Sequence, residues 1–381
     1  MRILLIAPKN DYNYKPHTYY RFPLGIAYIS SALKLAGYEV ICIDCHRIES
    51  LRQTIYDLSQ KQKFDLVCLG GMSLMFRQIN DAITDIRNVL GNIKIVLGGS
   101  IVTTEPEAIL KALDVDIGVL GEGEDSVVEI AKALAGGGRG ELSQVCGLAL
   151  RNPDAMGINF TPKRNVVMNV DNIPMPDYEG FDLKGYFQQI PPQTREIVGD
   201  PAAFRPISIS GARSCPYQCT FCYHFPDHPY RQRSLDNLFI EIDHLINNYN
   251  VNYIRLHDEV FCTPKNLDRL FKFCEKIKQR NIKWKISLRV DVITEDAAIA
   301  MRDAGCVEVL LGIENINPLI LKSMKKNITR EQIENACAIL YKNSIAIDGY
   351  LLFGDVEDTE KTGRGKTVSP YLVTTDQRLA I

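Results

Sequence analysis

Residues 210–224 read Ser210-Gly-Ala-Arg-Ser-Cys215-Pro-Tyr-Gln-Cys219-Thr-Phe-Cys222-Tyr-His224. Cys215, Cys219 and Cys222 follow the spacing C-x3-C-x2-C, three thiols within eight residues. Thiols this close along a chain can converge on one metal site. The run Pro206–Ile209 comes just before and reads as a strand. The thiols therefore lie in the loop after a strand, where α/β folds keep their chemistry. Phe221 and Tyr223 flank the last cysteine.

Downstream, strand and helix patterns alternate. Strands are expected at Ile207–Ser210, Asn252–Leu256, Lys283–Leu288, Val307–Ile313 and Ile345–Phe353. Helices are expected at Leu235–Tyr249, Leu267–Gln279 and Arg330–Tyr341, and a further one from the N-cap Thr294 to Gly305. Repeated β-α units with the chemistry in the first loop predict a whole or partial TIM-like (β/α) barrel over residues 201–360. Only Asp358–Ile381 follow the fifth strand, without a clear helix–strand unit. The barrel is thus expected to be short or the chain truncated, with 361–381 as a tail.

Upstream, residues 1–140 form a second α/β pattern. Strands are expected at Arg2–Ala7, Glu39–Ile43, Leu66–Leu69, Ile93–Leu97 and Ile117–Leu120. Between them, Leu24, Ala27, Tyr28, Ala32 and Leu35 share one helical face, and Ile79, Ile83, Ile86, Val89 and Leu90 another. These units imply a doubly wound, five-stranded parallel sheet, Rossmann-like in outline. Three strands end in glycine: Gly70-Gly71 with Ser73 just beyond, Gly98-Gly99-Ser100, and Gly121-Glu122-Gly123. Glycine lets backbone approach a ligand closely, and the crevice of such sheets lies at the strand C-termini. No G-x-G-x-x-G follows the first strand, so the nicotinamide-dinucleotide fingerprint is missing. Gly136–Gly140 marks a boundary, and residues 141–200, with a short Val145–Leu150 strand and many prolines, read as a linker.

Composition sets outer limits. With 46% hydrophobic and 24% charged residues the chain reads as globular, and a net charge of −2 carries no nucleic-acid signature. No apolar run is long enough to span a membrane, and Met-Arg-Ile-Leu-Leu-Ile reads as a strand rather than a signal peptide. The 11 cysteines are odd in number, and those outside the loop lie mostly in apolar segments. Free thiols and a reducing, cytoplasmic setting are expected.

The thiol loop itself leaves three readings open. A structural zinc wants four ligands, and His224 or His228 could join the three thiols, but no second C-x-x-C half is near. Three thiolates with one open iron suit a [4Fe-4S] cluster, the reading favoured by spacing. The third reading is thiols without metal.

C-x3-C-x2-C with an aromatic before the third cysteine, after a first barrel strand, resembles the radical S-adenosylmethionine superfamily. The resemblance implies that Cys215, Cys219 and Cys222 are the metal-ligating and catalytic set, each holding one iron. The fourth iron is then chelated by the methionine amine and carboxylate, and reductive cleavage gives a 5′-deoxyadenosyl radical. It also implies S-adenosylmethionine contacts at later strand ends: Asp258 and Glu259 in His257-Asp-Glu, Arg289 in Lys285–Val292, Glu314 in Leu311-Gly-Ile-Glu, and Gly354 and Glu357 in Tyr350–Glu357, with Tyr where Gly is usual.

Pro23-Leu-Gly-Ile-Ala-Tyr28, Val96–Ser100 and Leu120–Glu124 look like the cobalamin-binding domain of cobalamin-dependent radical enzymes. The resemblance covers nearly residues 1–355 and implies that the glycine loops, with Ser73, Ser100 and Glu122, cradle cobalamin. Asp44-Cys-His46-Arg-Ile-Glu49 is similar to D-x-H-x-x-G, a cobalt-ligating motif, but Glu49 replaces the glycine and the motif follows the wrong strand. A surface role for His46 is expected instead. The function so implied is methyl transfer to an unactivated carbon of a small-molecule substrate, with a flavodoxin- or ferredoxin-like electron donor. The alternatives are a radical cyclase or rearrangement enzyme on a tetrapyrrole-like substrate, and a non-catalytic cobalamin or iron–sulfur binding protein.

Overall fold

In the computed structural model, residues 1–9, 21–136, 139–152, 157–189, 204–223 and 228–359 are described. They fall into two compact units, with residues 168–171 belonging to the second although they lie within the sequence of the first.

The first unit is built on a sheet of strands β1 (Arg2–Ala7), β2 (Glu39–Asp44), β3 (Leu66–Gly70), β4 (Lys94–Gly98), β5 (Ile117–Val119), β6 (Leu148–Arg151) and β7 (Ile158–Phe160). Their order is β2-β1-β3-β4-β5-β6-β7. The five expected parallel strands are all present. Ile3, Leu4, Leu5 and Ile6 are fully buried, as in a strand covered on both faces. Helix Leu24–Leu35 starts after Pro23, and helix Phe76–Leu90 buries Ile79, Ala82, Ile83 and Ile86. The second follows its apolar stripe; in the first, Leu35 is exposed and Leu33 is buried instead.

The stretch read as a linker is different. β6 and β7 join the sheet antiparallel, Ile117 opposite Leu150 and Leu150 opposite Asn159. Residues 172–189 belong to the same unit. There Asp177 accepts from Ser30 Oγ at 2.5 Å and pairs with Lys34 at 2.6 Å, while its N–H donates to Ala27 O. Tyr178, Phe181 and Tyr186 pack around Phe22, with ring centroids 5.4, 6.4 and 6.0 Å away. Prolines made this segment look like a connector. Its aromatic side chains make it a flank of the first unit.

The second unit holds five parallel strands: β8 (Pro206–Ile209), β11 (Tyr253–Leu256), β12 (Lys283–Leu288), β13 (Cys306–Glu314) and β14 (Ala346–Leu351). A two-residue ribbon, β9 (Ala212–Arg213) with β10 (Arg231–Gln232), lies between β8 and β11 in sequence. The sheet order β8-β11-β12-β13-β14 follows the chain, the arrangement of a partial barrel. One face is apolar: Ile207, Ile209, Ile254, Leu256, Trp284, Ile286 and Val309 are buried. Phe273, from helix Asp268–Lys278, meets Trp284 edge-on at 5.1 Å, and Trp284 Nε1 donates to Ala304 O. The opposite face carries one polar register row, Ser208, Arg255, Lys285 and Glu308, with Lys285 and Glu308 paired at 2.8 Å. Thr294 caps its helix as expected, accepting from Ala297 N at 3.1 Å. All 11 cysteines are free. No helix among the described residues is long and apolar enough to cross a membrane. Residues 360–381 lie outside the described chain, so the expected tail goes without a structural account.

Candidate functional site

The cysteine loop leaves β9 and returns at β10. The antiparallel pairs Arg213–Arg231 and Ala212–Gln232 pinch its base. Just before, the backbone turns inward over one carboxylate. Asp258 Oδ1, at the end of β11, accepts from Ser210 Oγ at 3.0 Å, Gly211 N at 2.8 Å and Ala212 N at 3.0 Å. Arg269 closes the other side. It donates to Gly211 O at 3.1 Å and Arg233 O at 2.8 Å, with its guanidinium 4.7 Å over the Phe261 ring. Asp258 is buried and its Oδ2 has no hydrogen-bond partner among the described residues. Burial pushes its carboxyl up to about 6, against the opposing pull of the Ala212 and Gly211 amides. Its neighbour Glu259 is exposed and acts electrostatically on Cys215. The two acids, adjacent in sequence, thus face different tasks.

Within the loop Cys219 is buried, Cys215 half-buried and Cys222 exposed. Cys222 N–H donates to Cys219 O at 3.2 Å, so the C-x2-C end is a tight turn. Although the residue is exposed, partial desolvation of its thiol pushes Cys222 up to about 11, with the neighbouring Cys219 adding to it, and burial also raises Cys215. Such thiols stay protonated at neutral pH until a metal displaces the proton. The electrostatic coupling among them places them as neighbours. No three His, Cys, Asp or Glu side chains among the described residues converge tightly enough to hold one single ion. The donor set fits an iron–sulfur cluster, in which each thiolate reaches its own iron. His224 lies outside the described residues.

Two aromatic side chains of the loop are covered by cations. The Arg289 guanidinium lies 3.7 Å from the Tyr217 ring centre, and Lys326 Nζ lies 5.7 Å from that of Phe221. Arg289, expected to contact cofactor, is buried, pairs with Asp291 at 3.0 Å and donates to Lys326 O at 2.9 Å. Glu314 pairs with Lys326 at 2.9 Å. Gly354, at φ +88°, and Glu357 are exposed beyond β14; Gly354 N–H donates to Asp358 Oδ2 at 3.1 Å. Tyr217, Arg269, Asp291 and Lys326 escaped the reading of the sequence. An aromatic two residues after a motif cysteine was the available signal for Tyr217; Lys326 had none.

In the first unit the glycine-bearing ends of β3 and β4 lie side by side, with Gly70 opposite Gly98. Their smallness serves loop packing. A Cβ at Gly99 would stand 2.5 Å from Gly71 O, and one at Gly70 3.1 Å from Gly98 O. Gly71 N–H donates to Gly98 O, and Ile101 N–H to Gly71 O. The result is a low backbone ledge at the strand ends, with Ser73 exposed and Ser100 half-buried on it. Gly121 N–H donates to Thr103 Oγ1 at 3.0 Å, which ties the β5 end, with Glu122 and Gly123, to the same edge. Such a ledge fits a flat or extended ligand. His46 follows β2 in a short 3-10 turn, its N–H on Asp44 Oδ1. Gly99→Ala, at φ +91° and against Gly71 O, is expected to lose about 1–3 kcal/mol of stability, read as a lower thermal midpoint.

Comparison with known proteins agrees with both halves. The family model described as B12 binding domain matches residues 18–131, and that described as radical SAM superfamily matches residues 209–362. An "uncharacterized methyltransferase" of Pyrococcus horikoshii is 29% identical over 370 residues, 95% of this chain and 76% of that protein. The anaerobic magnesium-protoporphyrin IX monomethyl ester cyclase of Cereibacter sphaeroides is 27% identical over 354 residues, 89% of this chain but 55% of the cyclase. Among solved structures, the radical S-adenosylmethionine methyltransferase TsrM from Kitasatospora setae, with cobalamin and [4Fe-4S] cluster bound, has a TM-score of 0.77 at 19% identity, over 96% of this chain and 71% of that one. The cobalamin-dependent S-adenosylmethionine radical enzyme OxsB has a TM-score of 0.73 at 20% identity, over 92% of this chain and 49% of OxsB. At these identities the structures speak to fold. The chain spans about half the length of OxsB and of the cyclase.

Proposed function

Because this chain belongs to the radical S-adenosylmethionine superfamily and carries a B12-binding domain, we propose that it is a cobalamin-dependent methyltransferase acting on an unactivated carbon of a small molecule. The observation that carries the proposal is the C-x3-C-x2-C loop, pinned at the end of a first barrel strand, in one chain with a ledge suited to cobalamin. When bound, the cluster supplies the electron for reductive cleavage of S-adenosylmethionine, and cobalamin supplies the methyl carrier.

The protein's part is positioning. Cys215, Cys219 and Cys222 would hold three irons. Asp258 and Arg269 fix the backbone from which the loop departs. Glu259, Glu314, Gly354 and Glu357 are the candidates to hold S-adenosylmethionine. Arg289 acts on the cysteine loop through Tyr217. The β3, β4 and β5 ends, with Gly70, Gly71, Ser73, Gly98, Gly99, Ser100, Gly121, Glu122 and Gly123, would hold cobalamin. The partner in electron delivery is a one-electron donor of the flavodoxin or ferredoxin kind.

The test uses the whole chain reconstituted without oxygen. With dithionite and S-adenosylmethionine it should form 5′-deoxyadenosine, and it should bind hydroxocobalamin. Cobalamin binding without any 5′-deoxyadenosine would leave a binding protein and sink the enzyme reading. The likeness to the cyclase supports a second reading, radical ring closure on a tetrapyrrole. Methyl-labelled S-adenosylmethionine separates the two: label reaches the product only in methyl transfer.

A further inference from the structure

A second set of contacts, from one short turn, also holds the cysteine loop. Helix Pro318–Ser323 runs into residues 324–327, where Lys325 and Asn327 take left-handed backbone, φ +50° and +53°. Thr220 N–H donates to Met324 O at 3.0 Å, and Thr220 Oγ1 to Ser323 O at 3.3 Å. Arg289 ties the same turn to Tyr217, through Lys326 O at 2.9 Å and the ring at 3.7 Å.

The Lys326 side chain is 8% exposed, paired with a Glu314 that is 12% exposed, and lies 5.7 Å from the Phe221 ring centre. β13 is irregular at this pair. Its register slips between Gly312 and Glu314, and Glu314 sits at φ +60°. A Cβ at Gly312 would stand 2.9 Å from Lys326 Nζ and 3.1 Å from Glu314 Oε1, so the pair packs directly against the glycine. A buried ion pair and a left-handed non-glycine residue both cost stability. An apolar side chain could pack on Phe221 without either cost. What an apolar side chain lacks is charge.

We propose that Lys326, seated by Glu314 and Gly312, is a positioning residue whose charge sets how readily the cluster on the cysteine loop accepts an electron. The proposal rests on the reading of that loop as a cluster site. A unit positive charge nearby stabilises the reduced cluster, which carries one more negative charge.

The test is the midpoint potential of the reconstituted full chain, followed by electron paramagnetic resonance without S-adenosylmethionine. Lys326→Met should move the potential more negative, with the reduction equilibrium constant falling about tenfold, or ~59 mV for one electron. Lys326→Arg should restore it. Glu314→Gln should move it the opposite way. Equal potentials in wild type and Lys326→Met, or the same direction for Lys326→Met and Glu314→Gln, would overturn the proposal. Where Lys326→Met takes up no iron, Lys326→Arg and Glu314→Gln decide by the same signs. A wild-type chain that holds no iron fails earlier and differently, by sinking the cluster reading itself.

Discussion

Replacing any one of Cys215, Cys219 or Cys222 by alanine is expected to abolish the iron–sulfur chromophore and all formation of 5′-deoxyadenosine. Wild-type chain reconstituted without oxygen should hold about four irons and four sulfides, and each variant far fewer. The expectation rests on division of labour. A cluster ligand cannot be replaced by its neighbour when each thiolate reaches a separate iron, and the loop base is pinned so that no other cysteine can slide into place. The eight remaining cysteines lie outside the loop, and Cys262, Cys274, Cys306 and Cys337 are buried in the second unit. Cys146→Ser, in the first unit, is the control and should keep its iron. Stoichiometric zinc with no charge-transfer absorption in the wild-type chain would refute the cluster outright.

Asp258→Ala should be the most damaging substitution that leaves all three thiols in place. It removes the acceptor of three donors, two of them backbone amides at buried positions. Leaving such groups unsatisfied costs about 3–5 kcal/mol in all. The damage falls on Ser210, Gly211 and Ala212, from which the loop departs, so iron uptake should drop together with the thermal midpoint. Asp258→Asn keeps one oxygen acceptor and should lose much less. The same pair of variants reads the carboxyl's proton. Burial raises Asp258 from the usual 3.8 to about 6, so the folded chain holds that proton more tightly than the unfolded one. Stability from this group is therefore greatest below the ordinary carboxylate range, and falls as pH rises through about 4 to 6, by about 3 kcal/mol at most. Asp258→Asn should remove that slope from urea-unfolding midpoints of the iron-free chain. An unchanged slope would assign it to other groups.

Much of this arrangement is written locally. Strand by strand, the apolar runs place β1, β3, β8, β11 and β12 within a residue or two, because burial on one or both faces leaves a pattern of fixed period. The cysteine loop is legible because three rare residues stand close together. The contacts that hold the loop are a different matter. Thr220 meets Met324, and Tyr217 meets Arg289, across sequence separations that no periodicity records. The motif around Arg289 points it into the barrel, but its contacts with Asp291 and the Tyr217 ring are of the same long-range or irregular kind. The glycines of β3 and β4 were read as room for a ligand. Gly99 and Gly71 make room first for each other. The strand expected at Val145–Leu150 is present as β6, but its antiparallel place in the first sheet, and the three-residue β7 beside it, leave no periodic trace, since two short strands among prolines carry too few residues to show one.

The two-residue ribbon of β9 and β10 also bears on how metal could be acquired. A free segment carrying three thiols must surrender chain entropy when it wraps a cluster, a loss that grows with the logarithm of its length. Here the ends of the segment, Arg213 and Arg231, are already joined by backbone pairing. The entropy of closure is thus charged to the folding of the barrel, and incoming iron and sulfide have only the interior of a closed hoop to order. Uptake should then be faster, and less sensitive to temperature, than in a peptide of residues 210–232 alone.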